Sequence, residues 1–274
     1  MATAPTGPRS ARELYRIAKQ HGMWDPERIP LREDRADWEQ LNAEQREQLV
    51  KICSLFYEGE VSVGDTLAWW LLAVPDADRR AFLGAQLFEE VKHVEFFALY
   101  FREVFGNIDT TTYLSNDYRT ALVDELRERG MAIGRAVLEA SGPEGARKVE
   151  QELVRGVAHY MGVIEGVMAV TGYDYFDEMV GARGTFKRLL EGIRLIRADE
   201  GRHIIAGMDY LHEKVIEHPE YADSIREVFF KASMRVPGHT DFVFQPNAFG
   251  LDRNRMMAIA YQHLEQRSRE IGLS

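Results

Sequence analysis

The feature that most constrains this chain is the length of its helical patterns. Apolar residues recur at the α-helical period of about 3.6 residues. They do so through stretches near thirty residues, where globular helices average about 11–12. The first stretch is marked by Leu49, Ile52, Cys53, Phe56, Val63 and Leu67. Asn42 is placed to cap it, with Gln45 three residues on as a capping-box partner. Val74-Pro75 ends it, because proline lacks an N–H and restricts the residue before it. A second helix is expected from Asp76 to Phe105, stopped at Gly106, and the polar run Asn107 to Asn116 reads as a connector. Further helices are expected over Tyr118–Ala140, Glu144–Gly172, Thr185–His218, Tyr221–Met234 and Asn254–Ile271. The breaks fall at Ser141-Gly142-Pro143, at Gly181 and Gly184, at Pro219, and in an irregular stretch holding Pro237-Gly238 and Pro246. No β alternation of useful length and no internal repeat is present. Helices this long bury their stripes against one another. The expectation is an all-α four-helix bundle with additional flanking helices. One domain over residues 1–274 is expected, with 1–40 an N-terminal arm and 235–274 a C-terminal extension.

Two of the long helices repeat one spacing, Glu90-Val91-Lys92-His93 and Glu200-Gly201-Arg202-His203. Side chains three apart on a helix lie about 60° apart and one turn along, so a carboxylate and an imidazole can converge on one point. Such a pair is half a site for iron or manganese. Gln86, Phe82 and Phe97 surround the first pair, and Ile193, Ile196 and Gly207 the second, so both point inward. Buried unpaired, these groups would cost several kcal/mol each; a metal removes that cost. Two other helices each offer one inward acid: Glu60 on the Phe56–Glu60–Val63–Leu67 stripe, and Glu165 between Met161 and Met168. Glu, Glu-x-x-His, Glu and Glu-x-x-His from four helices is the dinuclear carboxylate arrangement of ferritin-like bundles. Asp199, beside Glu200, is expected to accept the ring N–H of a ligand histidine, His93. Glu89 and Lys92 are expected on the wet side of their helix. Four carboxylates neutralise two divalent ions. Two trivalent ions would leave about two positive charges for oxo or hydroxo bridges or an added carboxylate, which favours oxygen activation beside an acidic ligand.

Composition excludes other classes. Basic and acidic totals give 34 − 44 = −10, which disfavours nucleic acid as a partner. No uninterrupted apolar run approaches the ~18–20 residues of a membrane span. The first ten residues hold no apolar run of a secretory leader. A single cysteine, Cys53, forms no internal disulfide and no thiolate cluster. A cytoplasmic location is expected. Gly156, Gly162, Gly166 and Gly172 crowd one helix at a cost of up to ~1 kcal/mol each relative to alanine. Close helix packing is the favoured cause, and a hydrophobic channel for a chain-like ligand is the alternative.

The order Glu60, Glu90-x-x-His93, Glu165, Asp199-Glu200-x-x-His203 resembles the ribonucleotide reductase small-subunit superfamily. More narrowly, it is similar to the ligand-binding oxidases of that group, which hold a manganese/iron pair and a long-chain fatty acid. The run Phe56-Tyr57-Glu58-Gly59-Glu60-Val61-Ser62-Val63 is similar to that family's first ligand segment, and the likeness spans roughly residues 50–210. The resemblance implies a homodimer. It implies Mn at Glu60, Glu90 and His93, and Fe at Glu165, Glu200 and His203, with Glu90 bridging and di-iron the alternative. It implies that the fatty acid carboxylate joins the metals. It also implies that O2 reduction couples Val63 Cβ to the oxygen of Tyr160 as an ether, with Tyr173 another tyrosine near the site. By the residues alone, Val63 is one turn from Glu60, whereas Tyr160 lies about 140° around an α-helix from Glu165 and must lean toward the first helix. Phe97 stands where a reductase subunit usually carries its radical tyrosine, although some share the phenylalanine. The last helix runs nearly to Ser274, so no long tail for docking a large subunit is expected. A reductase small subunit, an acyl desaturase and, outside enzymes, ferritin-like metal storage are the competing readings.

Overall fold

The computed structural model describes residues 9–273. Its helices are α1 (Ala11–His21), α2 (Arg35–Gln40), α3 (Ala43–Ala73), α4 (Ala77–Tyr100), α5 (Asn116–Tyr118), α6 (Glu125–Glu139), α7 (Gly142–Val157), α8 (Val170–Met179), α9 (Lys187–Glu217), α10 (Tyr221–Val243) and α11 (Arg253–Ile271), and no strand occurs among the described residues. Three π-helical stretches, Phe101–Phe105, Arg119–Asp124 and Ala158–Ala169, extend α4, join α5 to α6 and join α7 to α8. Four long rods form the bundle: α3, α4, the run α7–π–α8, and α9. The antiparallel pair α3 and α4 pack along each other; α6 covers α3, while α10 and α11 cover the third rod. Of the N-terminal arm, residues 1–8 lie outside the described residues; α1 packs on α4.

Local chemistry sets the ends of these rods. Asn42 accepts from the Gln45 amide, and the Gln45 side chain accepts from the Asn42 amide, a closed capping box at the start of α3. Asp76 caps α4 through the Arg79 amide. The start of α9 has no side-chain cap of its own, and its flanking residue, Phe186, holds a left-handed φ of 52°. A bulky residue there is strained by on the order of 1–3 kcal/mol. The arm supplies what is missing. Asp37 accepts from the Phe186 amide at 2.7 Å, and buried Asp34 accepts from the amides of Arg188 and Leu189 at 3.0 and 2.8 Å. Asp34 also accepts from the Tyr100 hydroxyl at 2.9 Å, so one carboxylate joins arm, α4 and α9.

One sequence expectation changes here. Pro237 does not end α10, which continues to Val243. A helix-interior proline frees the carbonyl four residues back, and the hydroxyl of Tyr261 on α11 donates to that carbonyl, of Ser233, at 3.3 Å. The third rod is also apolar enough by composition to cross a membrane over Gly142–Arg183, yet 78% of its most apolar window is buried inside the protein. It is the core rod of the bundle.

Its glycines work by close approach. A Cβ on Gly172 would fall 2.5 Å from the Phe56 ring, and one on Gly162 2.9 Å from Phe229. A tighter notch is on α9, where a Cβ on Gly192 would lie 2.0 Å from the buried Phe96 ring. Gly192→Ala is therefore expected to destabilise by about 1–3 kcal/mol through overpacking, visible as a lower denaturant midpoint with an unchanged slope. An unchanged midpoint would mean that α4 and α9 do not meet at this notch.

Candidate metal centre

Each bundle rod delivers its carboxylate to one buried point. Glu60 comes from α3, Glu90 and His93 from α4, Glu165 from the π stretch, and Glu200 and His203 from α9; all six are buried. The imidazole centroids of His93 and His203 lie 6.4 Å apart. Ligand atoms of Glu60, Glu90, His93 and Glu200 all fall within 4.8 Å of one another, and so do those of Glu90, Glu165, Glu200 and His203. Glu90 and Glu200 belong to both groups. The family resemblance implies Glu90 as a bridge; the geometry adds Glu200 as a second shared carboxylate.

The inward atoms fit metal ions better than each other. His93 Nδ1 lies 3.5 Å from Glu60, 3.5 Å from Glu90 and 3.3 Å from Glu200. His203 Nδ1 lies 3.1 Å from Glu90, 3.3 Å from Glu165 and 3.7 Å from Glu200. Nevertheless, neither Nδ1 has a hydrogen-bond partner, nor do Glu165 Oε2 and Glu200 Oε2. Buried polar atoms are almost always paired. Four unpaired atoms converging from three elements therefore define a cation site with an N/O donor set suited to iron or manganese. Burial pushes Glu60 and Glu165 well above the usual carboxylate range. Burial opposes Glu90 too, but His203 and His93 overcome it and hold Glu90 well below that range.

The outer nitrogen of each ring is engaged. His93 Nε2 meets Asp199 at 3.2 Å and His203 Nε2 meets Glu89 at 2.8 Å, which turns both Nδ1 atoms inward. One guanidinium nitrogen of Arg202 donates to both Glu89 and Asp199. Lys92 pairs with Asp199 at 2.9 Å and donates to the Gly22 carbonyl, while Trp24 Nε1 donates to Asp199 at 2.8 Å. Burial would raise Asp199, but His93 and Lys92 hold it far below its ordinary value. Glu89 and Lys92 thus correct the sequence reading: they are 2% and 3% exposed, not on a wet face. The arm residues 22–24 cover that face of α4, and the spacing of α4 alone does not reveal the cover. The His203 spacing offered a signal for Glu89, since a ligand ring needs an acceptor for its second nitrogen.

Tyr160 is also placed differently from a plain α-helical projection. It lies in the π stretch, where i→i+5 bonding brings residues five apart toward one face. Its hydroxyl donates to Glu90 at 2.5 Å, and Gln86 Nε2 bonds both Tyr160 (3.0 Å) and Glu165 (3.3 Å). Val63 is buried and lines the same cavity as Tyr160. Tyr173 is fully buried, its hydroxyl has no partner, and its ring stacks on Phe56 at 5.3 Å. That cavity, about 110 Å³, is lined by Glu60, Glu90, Glu165 and Glu200, by Val163, Val167 and Met168, and by Arg129, Lys231 and His159, the first two on the side it shares with a neighbouring cavity. The third rod therefore combines both expected uses of its glycines: Gly172 packs on Phe56 and also lines the cavity.

The family profile for the ribonucleotide reductase small chain matches residues 9–265. The chain belongs to that family. Within the ribonucleotide reductase small-chain family, its fold is similar to solved structures of an R2-like ligand-binding oxidase. A valine-to-leucine variant of that oxidase with aerobically reconstituted Mn/Fe cofactor is 23% identical, with a TM-score of 0.86 over 97% of this chain and 94% of that one. A glycine-to-leucine variant with anaerobically reconstituted Mn/Fe cofactor gives 22% and 0.87 over the same shares. A tyrosine-to-phenylalanine variant, aerobically reconstituted, gives 22% and 0.86.

Buried His159, near the cavity's outer end, yields a pH prediction. Burial and the nearby charge of Arg129 hold its pKa down to about 4, against 6.5 ordinarily. The unfolded chain therefore takes up this proton first as pH falls. The neutral ring's stability is fully present above about 6.5 and is lost between about 6.5 and 4, on the order of 3 kcal/mol at most. The difference in unfolding free energy between the parent and His159→Gln is expected to shrink across that window, and a constant difference would contradict it.

Proposed function

We propose that this chain is an O2-dependent oxidase whose dinuclear centre is held by Glu60, Glu90, His93, Glu165, Glu200 and His203. A long-chain fatty-acid-like ligand would enter the cavity that ends at those residues. The single observation that carries the reading is the pair of overlapping four-residue groups sharing Glu90 and Glu200. An Mn/Fe pair is the favoured loading, supported by the cofactor of the similar solved structures, with Mn beside His93 and Fe beside His203. When bound, the metal pair supplies electrons to O2 and Lewis acidity.

The protein's own residues do the rest. Asp199 and Glu89 keep both imidazoles aimed inward as neutral donors with their outer N–H groups engaged. Tyr160 gives its hydroxyl proton a ready acceptor in Glu90. Val63, one turn from Glu60, lines the same cavity as Tyr160. Joining Val63 Cβ to the Tyr160 oxygen would break the Val63 Cβ–H and Tyr160 O–H bonds and give O2 two electrons and two protons; the other two electrons needed to reach two waters would come from a bound metal pair, and the other two protons from solvent. The mostly apolar lining would keep water from the reacting atoms and suits a hydrocarbon chain.

The test is aerobic loading with Mn and Fe followed by intact and peptide mass spectrometry. The expected result is a loss of two hydrogens and one peptide joining Val63 to Tyr160. Anomalous scattering at both metal edges would place each ion. Unlinked peptides from a doubly loaded protein would sink the cross-link, and a protein holding no metal would sink the oxidase. Phe97, buried and stacked on Phe56 at 5.8 Å, offers no phenol for a stored tyrosyl radical, which disfavours a reductase role based on that position. A homodimer and a cytoplasmic setting complete the proposal, the former checked by light scattering.

A further inference from the structure

The outer end of the cavity is not apolar. Arg129 of α6 and Lys231 of α10 line it, and the same two residues line two neighbouring cavities that open beside it. They therefore mark where the buried channel reaches the surface between α6 and α10. Arg129 is only partly exposed and has no carboxylate within ion-pair distance among the described residues. Lys231 is exposed and shares its charge with Glu227 at 2.8 Å. Of the carboxylates on the rim, Glu125 accepts from both terminal nitrogens of the Arg235 guanidinium and lies 3.8 Å from His159 Nε2, while Asp117 has no cation within that distance among the described residues. The channel's outer lining thus holds three cations against two anions, in a chain with ten more acids than bases. Just inside, His159 is 4% exposed and its Nδ1 has no hydrogen-bond partner.

A buried imidazole nitrogen without a partner and a half-buried guanidinium without a counter-ion are each costly. Both sit on one opening, and one oxyanion would satisfy both: Arg129 offers a fork of N–H donors, and His159 offers one N–H in its Nδ1-protonated tautomer. The same cavity reaches the metal centre, and the rest of its lining is mostly apolar. We propose that the rim formed by Arg129 and His159, with Lys231 beside them, is an oxyanion site, and that the ligand is a chain acid carrying a second acidic group at the end remote from the metals. This rests on the reading of the cavity as the ligand channel. A carboxylate and a phosphate share the required chemistry.

The test is calorimetric titration of the metal-loaded protein with palmitic acid, with the α,ω-diacid of the same length, and with the same acid bearing an ω-phosphate. One of the two-headed ligands is expected to bind about tenfold more tightly than palmitic acid, and which of them does so identifies the group. Arg129→Gln should abolish that advantage, while palmitic acid binding stays within about twofold and Arg129→Lys recovers part of the advantage. Palmitic acid binding with no advantage for either two-headed ligand overturns the rim site and leaves the channel standing. An advantage that survives Arg129→Gln overturns it equally. If none of the three binds, the channel reading itself fails, and the rim site with it.

Discussion

Glu200→Ala is expected to leave the protein unable to hold two metal ions. Glu200 reaches 3.3 Å from His93 Nδ1 and 3.7 Å from His203 Nδ1, and it is one of two carboxylates common to both donor groups. Its loss takes a donor from each ion and a negative charge from between them. Replacing a mere hydrogen-bonding neighbour of a metal ligand costs about 10–100-fold in affinity; losing a shared ligand should exceed that. Metal analysis after loading and desalting should fall from two ions per chain to one or none. The apo protein should remain folded, because the deletion also removes an uncompensated buried charge. Two retained ions would show that Glu200 bridges nothing.

The second large effect lies away from the metals. Asp34→Ala removes the acceptor of the Tyr100 hydroxyl and of two backbone amides at the start of α9. Three donors become unpaired where water does not reach them. The combined loss of cap and buried bonds is about 3–5 kcal/mol, or roughly a 10 °C fall in melting temperature for a domain of this size. Asp34→Asn, which keeps one carbonyl acceptor, should lose about half as much. Since α9 carries Glu200 and His203, the alanine variant should also bind metal more weakly at temperatures well below its melting point. An unshifted melting curve would mean that the arm does not anchor α9.

Much of this architecture is legible in the sequence because helix length and helix ends are local properties. Asn42 with Gln45, Asp76, and Gly106 at φ 92° all stand at rod ends. The buried side of a Glu-x-x-His pair follows from its apolar neighbours, so Glu60, Glu90, His93, Glu165, Glu200 and His203 can be singled out before any coordinates. What stays hidden depends on partners distant in the chain. Glu89 and Lys92 look solvated until residues 22–24 are laid over them, and Pro237 looks like a terminator until Tyr261 arrives to bond the carbonyl it frees. Tyr160 is misplaced by an α-helical projection because a π pitch has no pattern of its own in side-chain hydropathy. The shared role of Glu200 depends on where four rods meet, which no single helix specifies.

The double duty of Arg202 has a consequence for tuning. Because the same nitrogen serves Glu89 and Asp199, a nudge to one imidazole is transmitted mechanically to its counterpart across the bundle. Lys92 and Trp24 bond Asp199 and not Glu89, so the His93 side keeps a rear handle of its own that the His203 side lacks among the described residues.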